Sequence, residues 1–151
     1  MDICLLDSRK IIHYQDDIHE LLKMCFESTY EYSISEDIVN EKYLGLINYI
    51  NADKAYVFGA IDNNHLLGFL WGYPVDTLSE TVFHVAYIAI KASERRSGIG
   101  QKLLYESEKK CSKLGLKHIE LIVGAKNSSA LSFYEHCGYK PDRLYMRKEV
   151  R

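Results

Sequence analysis

A mixed α/β domain, in the order β-αα-βββ-α-β-α-β, is predicted by three features of the chain. Apolar residues repeat at three- and four-residue spacing in two early stretches and again over residues 99–114. Between and after them lie short runs rich in β-branched and aromatic residues. The two periods alternate along the chain, so helices and strands belong to one mixed domain. At 151 residues the chain suits one domain spanning 1–151 with one substantial core.

The elements follow in order. Asp2 to Leu6 alternates weakly and reads as a first strand. Asp16-Asp17 opens a helix with Ile18, Leu21, Leu22, Cys25 and Phe26 on its apolar stripe, ending near Ser28. Ser35 is placed to cap a second helix, with Glu36 and Asp37 in its first turn and Ile38, Leu44, Ile47 and Ile50 inward, to about Asn51. Ala55 to Ile61 and Leu66 to Tyr73 read as a hairpin joined by Asp62-Asn63-Asn64-His65. Pro74 to Glu80 is expected to be a polar connection, and Val82 to Ile90 the fourth strand. A helix from Ile99 to Leu114 ends at Gly115. Lys117 to Val123 reads as a strand, Asn127 caps a short helix that Gly138 ends, and Leu144 to Val150 is expected to be a last strand.

Composition narrows function by exclusion. The formal charge of −2 provides no global field toward nucleic acid or membrane, so any basic site is local. No apolar run nears the roughly 18 residues of a membrane span, and the first residues lack the pattern of a signal peptide. Cys4, Cys25, Cys111 and Cys137 are far apart, which favours reduced, packed thiols and a cytoplasmic location. His13, His19, His65, His84, His118 and His136 show no metal spacing. Tyrosine is frequent, and Tyr30 and Tyr32 in the link after the first helix are candidates to line a substrate pocket.

The stretch Arg95-Arg96-Ser97-Gly98-Ile99-Gly100 lies between the fourth strand and the following helix. A glycine turn opening a helix is an anion cradle. The first-turn N–H groups lack intrahelical partners, the helix end carries partial positive charge, and glycine lets a ligand approach the backbone. Two arginines add permanent charge. A Walker P-loop requires Gly-x-x-x-x-Gly-Lys-Ser/Thr, whereas Gly100 is followed by Gln101-Lys102-Leu103; a dinucleotide fingerprint requires a third glycine.

Two pieces carry a family likeness. Arg95-x-x-Gly98-x-Gly100 follows the strand ending Ile88-Ala89-Ile90, and Asn127-x-x-Ala130-x-x-Phe133-Tyr134-x-x-x-Gly138-Tyr139 stands one strand further on. Together they resemble the two motifs of the GCN5-related N-acetyltransferase (GNAT) superfamily. The resemblance implies a GNAT-like fold whose sheet splays between strands four and five. It also implies acetyl-CoA as co-substrate, no metal, and transfer of an acetyl group to a primary amine in a ternary complex. It assigns the pyrophosphate to Arg95, Arg96, Ser97, Gly98, Ile99, Gly100 and Gln101, and the pantetheine arm to the main chain of Ile88, Ala89 and Ile90 and to Asn127. Tyr134 is the implied general acid. Glu80 and His84 are the positional candidates for the base that an alkylamine of pKa about 10.4 needs near pH 7. The acceptor stays open among a small amine, an amino sugar, a polyamine, an amino acid and a protein N-terminus. A monomer or homodimer, with no nucleic-acid or membrane partner, is expected. The alternative function is a non-catalytic acyl-CoA sensor, which would keep the cradle and dispense with turnover.

Overall fold

The computed structural model describes residues 1–30 and 33–151, with Tyr30 by its backbone alone. Five strands form one mixed sheet in the order β1-β2-β3-β4-β5. They are β1 (Asp2–Leu5), β2 (Tyr56–Asp62), β3 (His65–Asp76), β4 (Thr81–Ile90) and β5 (Ile119–Leu121). The first four pair antiparallel in sequence and β5 joins β4 in parallel. The helices are α1 (Ser8–His13), α2 (Gln15–Tyr30), α3 (Glu36–Asn51), α4 (Ile99–Lys113) and α5 (Ser128–His136).

The sheet separates two cores. Ile18, Leu21, Leu22, Phe26, Val39 and Leu46 of the early helices bury against Val57, Phe69 and Trp71 on one face. Ile99, Leu103 and Leu104 of α4 bury against Phe58, Leu70, Phe83 and Val85 on the other. Along β3 the alternation is regular, with Phe69 and Trp71 on the first face and Leu70 on the second. Ser35 caps α3 by accepting from the Ile38 N–H, and Asp16 and Asp17 sit in the first turn of α2, as their positions imply. Gly115 and Gly138 adopt the left-handed conformation after α4 and α5.

The observed order, β-ααα-βββ-α-β-α, departs from expectation in four places. The extra helix is α1, six residues capped by Asp7, which accepts from the Lys10 N–H, and anchored by the buried Ile11. Six residues are too few for a period to emerge. The hairpin turn is tighter than four residues. Asn63 and Asn64 both take positive φ, 47° and 62°, and join β2 to β3 alone, the backbone a two-residue hairpin loop needs. Pro74 belongs to β3 rather than to a connection, paired with Phe83. β2 reaches only Gly72, so at Pro74 the strand has a neighbour on one side and the missing N–H costs no ladder bond. The last expected strand, Leu144 to Val150, does not form: residues 139–151 hold no regular structure, and from Pro141 onward all are exposed.

β4 contains an irregularity that shapes the site. Val85 pairs with Gly72 and Tyr87 with Trp71, so Ala86 is an extra residue with no partner on β3. This is a β-bulge, which re-aims side chains and bends the strand. Phe83 and Val85 accordingly face α4, whereas Tyr87 and Ala89 face α2. Gly72 allows it, because a Cβ there would stand 2.3 Å from Cε1 and 2.7 Å from Cζ of the buried Phe83 ring. Gly72→Ala is therefore expected to destabilise the fold by about 1–3 kcal/mol, the usual range for overpacking. Urea unfolding measures it, and a midpoint unchanged from the parent would contradict the contact.

Candidate active site

β4 and β5 pair only at Phe83↔Ile119, His84↔Glu120 and Val85↔Leu121. Beyond the bulge, Ala86 to Ile90 continue with no ladder on the β5 side, and the two strands part there. The parting leaves backbone donors and acceptors of β4 facing a cleft rather than a neighbour.

At the end of β4 the chain turns through a single 3-10 turn, Ala92–Glu94, and then Arg95 in extended backbone. Arg96 (φ 64°) and Gly98 (φ 81°) are both left-handed. For an arginine that conformation costs on the order of 1 kcal/mol, and such residues cluster where backbone geometry serves a ligand. The Ser97 hydroxyl donates to the Glu94 carbonyl and holds the turn closed. The first helical bond of α4 is Lys102 N–H to Gly98 carbonyl, 3.1 Å, so the N–H groups of Ile99, Gly100 and Gln101 precede the ladder. Arg95, Arg96, Ser97 and Gly98 are exposed, and a Cβ on Gly98 would meet nothing within 4 Å. Gly100 differs: it is buried, and a Cβ there would stand 2.9 Å from Phe133 Cζ and 3.0 Å from Ile90 Cδ1. That close approach seats the start of α4 against the end of β4 and the middle of α5.

α5 carries the remaining motif residues. Asn127 is an N-cap, its Oδ1 accepting from the Ala130 N–H at 3.2 Å. Phe133 and Tyr134 follow on the face turned to the second core, their ring centroids 5.2 Å apart. Burial, with the neighbouring Cys25 and Cys137 adding to it, pushes the Tyr134 hydroxyl up to about 12. Its hydroxyl makes no hydrogen bond among the described residues. Cys25 of α2 reaches the same place from the other face. Burial raises its thiol to about 11, opposed by the nearby Ile88 backbone N–H. The Ile88 amide, the Cys25 thiol and the Tyr134 ring thus meet where β4 leaves β5.

Other expected residues lie elsewhere. Glu80 sits in the turn before β4 and its Oε2 is 2.7 Å from Nδ1 of His118. Eight residues of strand separate it from Ile88, about 26 Å at the usual rise. His84 is four residues from Ile88, beside Tyr73, with Nδ1 3.3 Å from Oε1 of Glu120. Tyr32 and the Tyr30 side chain lie outside the described residues, as does Glu31 of the acidic group around them. Glu36 of that group pairs with Lys23 at 2.9 Å, which lowers its carboxyl and raises the lysine.

Three aromatic rings that periodicity reads simply as core pack together on the α2 side of β4. Tyr87 stands 5.3 Å from Phe26 and 5.1 Å from Trp71. Trp71 Nε1 is buried with no hydrogen-bond partner among the described residues. Cys25 was likewise hidden in the helical stripe, and no residue pattern separates it from its core neighbours. Behind them, Lys91 binds Asp17, which also accepts from the Leu66 N–H at 3.0 Å, tying α2 to the end of β4. The raised Cys25 thiol has a consequence for labelling. Iodoacetamide should modify it roughly 100-fold more slowly at pH 8 than a thiol of pKa 9, accelerating as pH rises toward 11, because the thiolate is the nucleophile. Peptide mass spectrometry across pH measures this; an inflection below pH 9 would contradict the buried environment.

The profile of the Acetyltransferase (GNAT) family matches residues 15–139. The uncharacterised protein YxbD of Bacillus subtilis (strain 168) is 30% identical over 97 residues, 64% of this chain and 57% of its own; the matched chain thus spans less than two thirds of that relative. A putative acetyl transferase from Pyrococcus furiosus superposes with a TM-score of 0.76 at 26% identity, covering 99% of this chain and 100% of that one. The aminoglycoside N-acetyltransferase AAC(6')-Iy, solved in complex with CoA, shares the fold at 15% identity, with a TM-score of 0.76 over 99% of this chain and 94% of that one. With the motif turn, the splayed β4 and α5 in the arrangement described, the chain belongs to the GNAT acetyltransferase family.

Proposed function

We propose that residues 1–151 form one N-acetyltransferase domain that moves an acetyl group from acetyl-CoA to the primary amine of an acceptor, directly and within a ternary complex. One observation carries the reading: Ile88 and Tyr134 pack against the same core at the opening between β4 and β5, beside the turn Arg95 to Gly100. The residues present suit the co-substrate. Open space at Gly98, unbonded first-turn amides and two exposed arginines match a pyrophosphate, and an unladdered strand edge matches an amide-bearing pantetheine arm.

Acetyl-CoA supplies an acyl group activated as a thioester. The amides of Arg96 to Gln101 hold the pyrophosphate, with Arg95 or Arg96 adding charge. The main chain of Ile88, Ala89 and Ile90 takes the arm as an added strand, and Asn127 contacts it from the start of α5. The Ile88 N–H turns from the Cys25 sulfur to the thioester oxygen and stabilises the charge that develops there. A new C–N bond forms as the C–S bond breaks. Tyr134, fully protonated near neutrality, gives its proton to the departing sulfur and regains one from solvent. His84, oriented by Glu120, takes the amine proton through water, since four residues of strand, about 13 Å, separate it from Ile88. Glu80 is too far for this and is bound to His118.

Phe26, Trp71 and Tyr87 form the acceptor side, with the Trp71 N–H available to an acceptor oxygen. No helix among the described residues is long and apolar enough to cross a membrane. All four cysteines are free, and we place the reaction in the cytoplasm on that ground.

The test is CoA release from acetyl-CoA across amino sugars, polyamines, amino acids, small amines and peptide N-termini. Turnover with one class supports the reading; acetyl-CoA binding with no turnover on any acceptor favours the sensor. With the best acceptor, Tyr134→Phe should lower kcat by about 100-fold or more, the scale of a lost general acid, with little change in cofactor affinity. Unchanged kcat would remove Tyr134 from the chemistry. Gly98→Glu should abolish acetyl-CoA binding in calorimetry while far-UV circular dichroism stays intact, because its side chain enters open space and the strain of its left-handed backbone, on the order of 1 kcal/mol, stays local to the turn. Retained binding would rule out the cradle.

A further inference from the structure

The sheet ends at β1 on the side away from β5, with β2 and β3 between that edge and β4. The Leu6 N–H donates to the Val57 carbonyl at 2.7 Å. Antiparallel pairs alternate, so Cys4 and Asp2 also direct their main-chain groups to β2, and Ile3 and Leu5 turn theirs outward. Each of those two residues offers one N–H and one C=O at the edge. None of these groups has a partner among the described residues. Side chains alternate as well. Ile3 packs toward α4 and Cys4 toward the early helices, so Leu5, 48% exposed, lies on the α4 side and Asp2 on the other.

On the α4 side the edge opens into a groove of about 250 Å³. The apolar Ile3, Leu5 and Phe58 line it, and α4 adds Lys109, Lys110 and Lys113. Among the described residues Glu106 is the one carboxylate in the lining, and Lys109 holds both of its oxygens, at 3.0 and 3.1 Å. Lys110 lies over the Tyr56 ring, its Nζ 4.4 Å from the centroid. On the opposite face Lys10 Nζ stands 3.5 Å from the Cys4 sulfur. Among the described residues Lys10, Lys110 and Lys113 enter no ion pair. A chain of net charge −2 thus gathers uncompensated positive charge around one strand edge. Lysine beside an edge ordinarily guards it against other strands. The guard is selective, because the charge that repels a basic strand attracts one that carries carboxylates.

We propose that the β1 edge receives an extended acidic segment of another protein as an added strand, with a carboxylate at every second position facing Lys110 and Lys113. Its main chain pairs with the outward groups of Ile3 and Leu5. Its acidic side chains lay their aliphatic stems across Leu5 and Phe58 and place their oxygens on the lysines. A second copy of this chain does not suit the edge, since two β1 strands side by side bring the α4 lysines of both copies together. The surface stands apart from the opening between β4 and β5, and binding there needs no turnover.

The probe is an octapeptide alternating glutamate and valine, and its control alternates lysine and valine. Calorimetry on the whole chain should show the acidic peptide binding with Kd below about 1 mM, and the basic one not binding. Raising NaCl from about 0.05 to 0.5 M should weaken binding by about tenfold or more, because surface charges are screened. Hydrogen exchange should slow at Ile3 and Leu5 with the acidic peptide present and stay unchanged in residues 86–90 and 119–121. Leu5→Pro removes an outward N–H, leaves the β2 ladder whole and should abolish binding. Lys110→Glu/Lys113→Glu should abolish it too, admit the basic peptide and keep the parent circular dichroism, which decides the matter even if the proline variant fails to fold. No binding of the acidic peptide overturns the proposal. So does equal affinity for both peptides, binding that survives the charge reversal, protection outside β1, or an intact chain that dimerises through residues 2–5.

Discussion

β4 shows Phe83 and Val85 to one core and Tyr87 and Ala89 to the other, and the unpaired Ala86 that makes this change also marks where β5 stops following it. A strand buried between two layers would ordinarily spend its N–H and C=O groups on its neighbours. Here the second neighbour is withdrawn for the last five residues, so the backbone itself becomes a binding surface. Gly72 accommodates the Phe83 ring that the bend brings over it, and the Lys91–Asp17 pair fixes the far end of the strand to α2. The donor side of the site depends on this one irregularity more than on any side chain.

That dependence explains what the amino-acid sequence discloses. Arg95 to Gly100 and Asn127 to Tyr139 are legible because their chemistry is written in residue types: glycine for positive φ at Gly98 and close approach at Gly100, asparagine for the cap, tyrosine for the hydroxyl. The bulge is not legible. Val82 to Ile90 is almost wholly apolar, buried on both faces, so no alternation exists for Ala86 to break. Cys25 is hidden for a related reason, lying on the stripe with Leu21 and Leu22 and differing only in what stands opposite. α1 is too short for periodicity, and Pro74 reads as a strand end unless one knows that β2 has already stopped. Leu144 to Val150 has a strand's pattern, yet no strand forms there.

The two sides of the cleft also differ in kind. The donor side is backbone, and backbone geometry is specified by a few glycines and a cap, which is why a short motif suffices to identify it. The acceptor side proposed above is built from Phe26, Trp71 and Tyr87, residues that any apolar core also uses. The distinguishing feature there is a missing interaction, the buried Trp71 N–H without a partner among the described residues.

A buried donor left unsatisfied costs about 1–3 kcal/mol, which a fold retains when a ligand's oxygen recovers it. The same accounting applies to the Ile88 N–H. Sulfur is a weak acceptor, so the nearby Cys25 thiol does not satisfy the amide fully. A carbonyl oxygen gaining negative charge is the stronger acceptor, and the difference between the two grows as that charge develops. An amide held this way discriminates between ground state and transition state, because what it gives up is small and fixed while what it gains rises along the reaction. In the function proposed above, Cys25 therefore does more than fill space in α2: it stands beside an amide that the reaction would use.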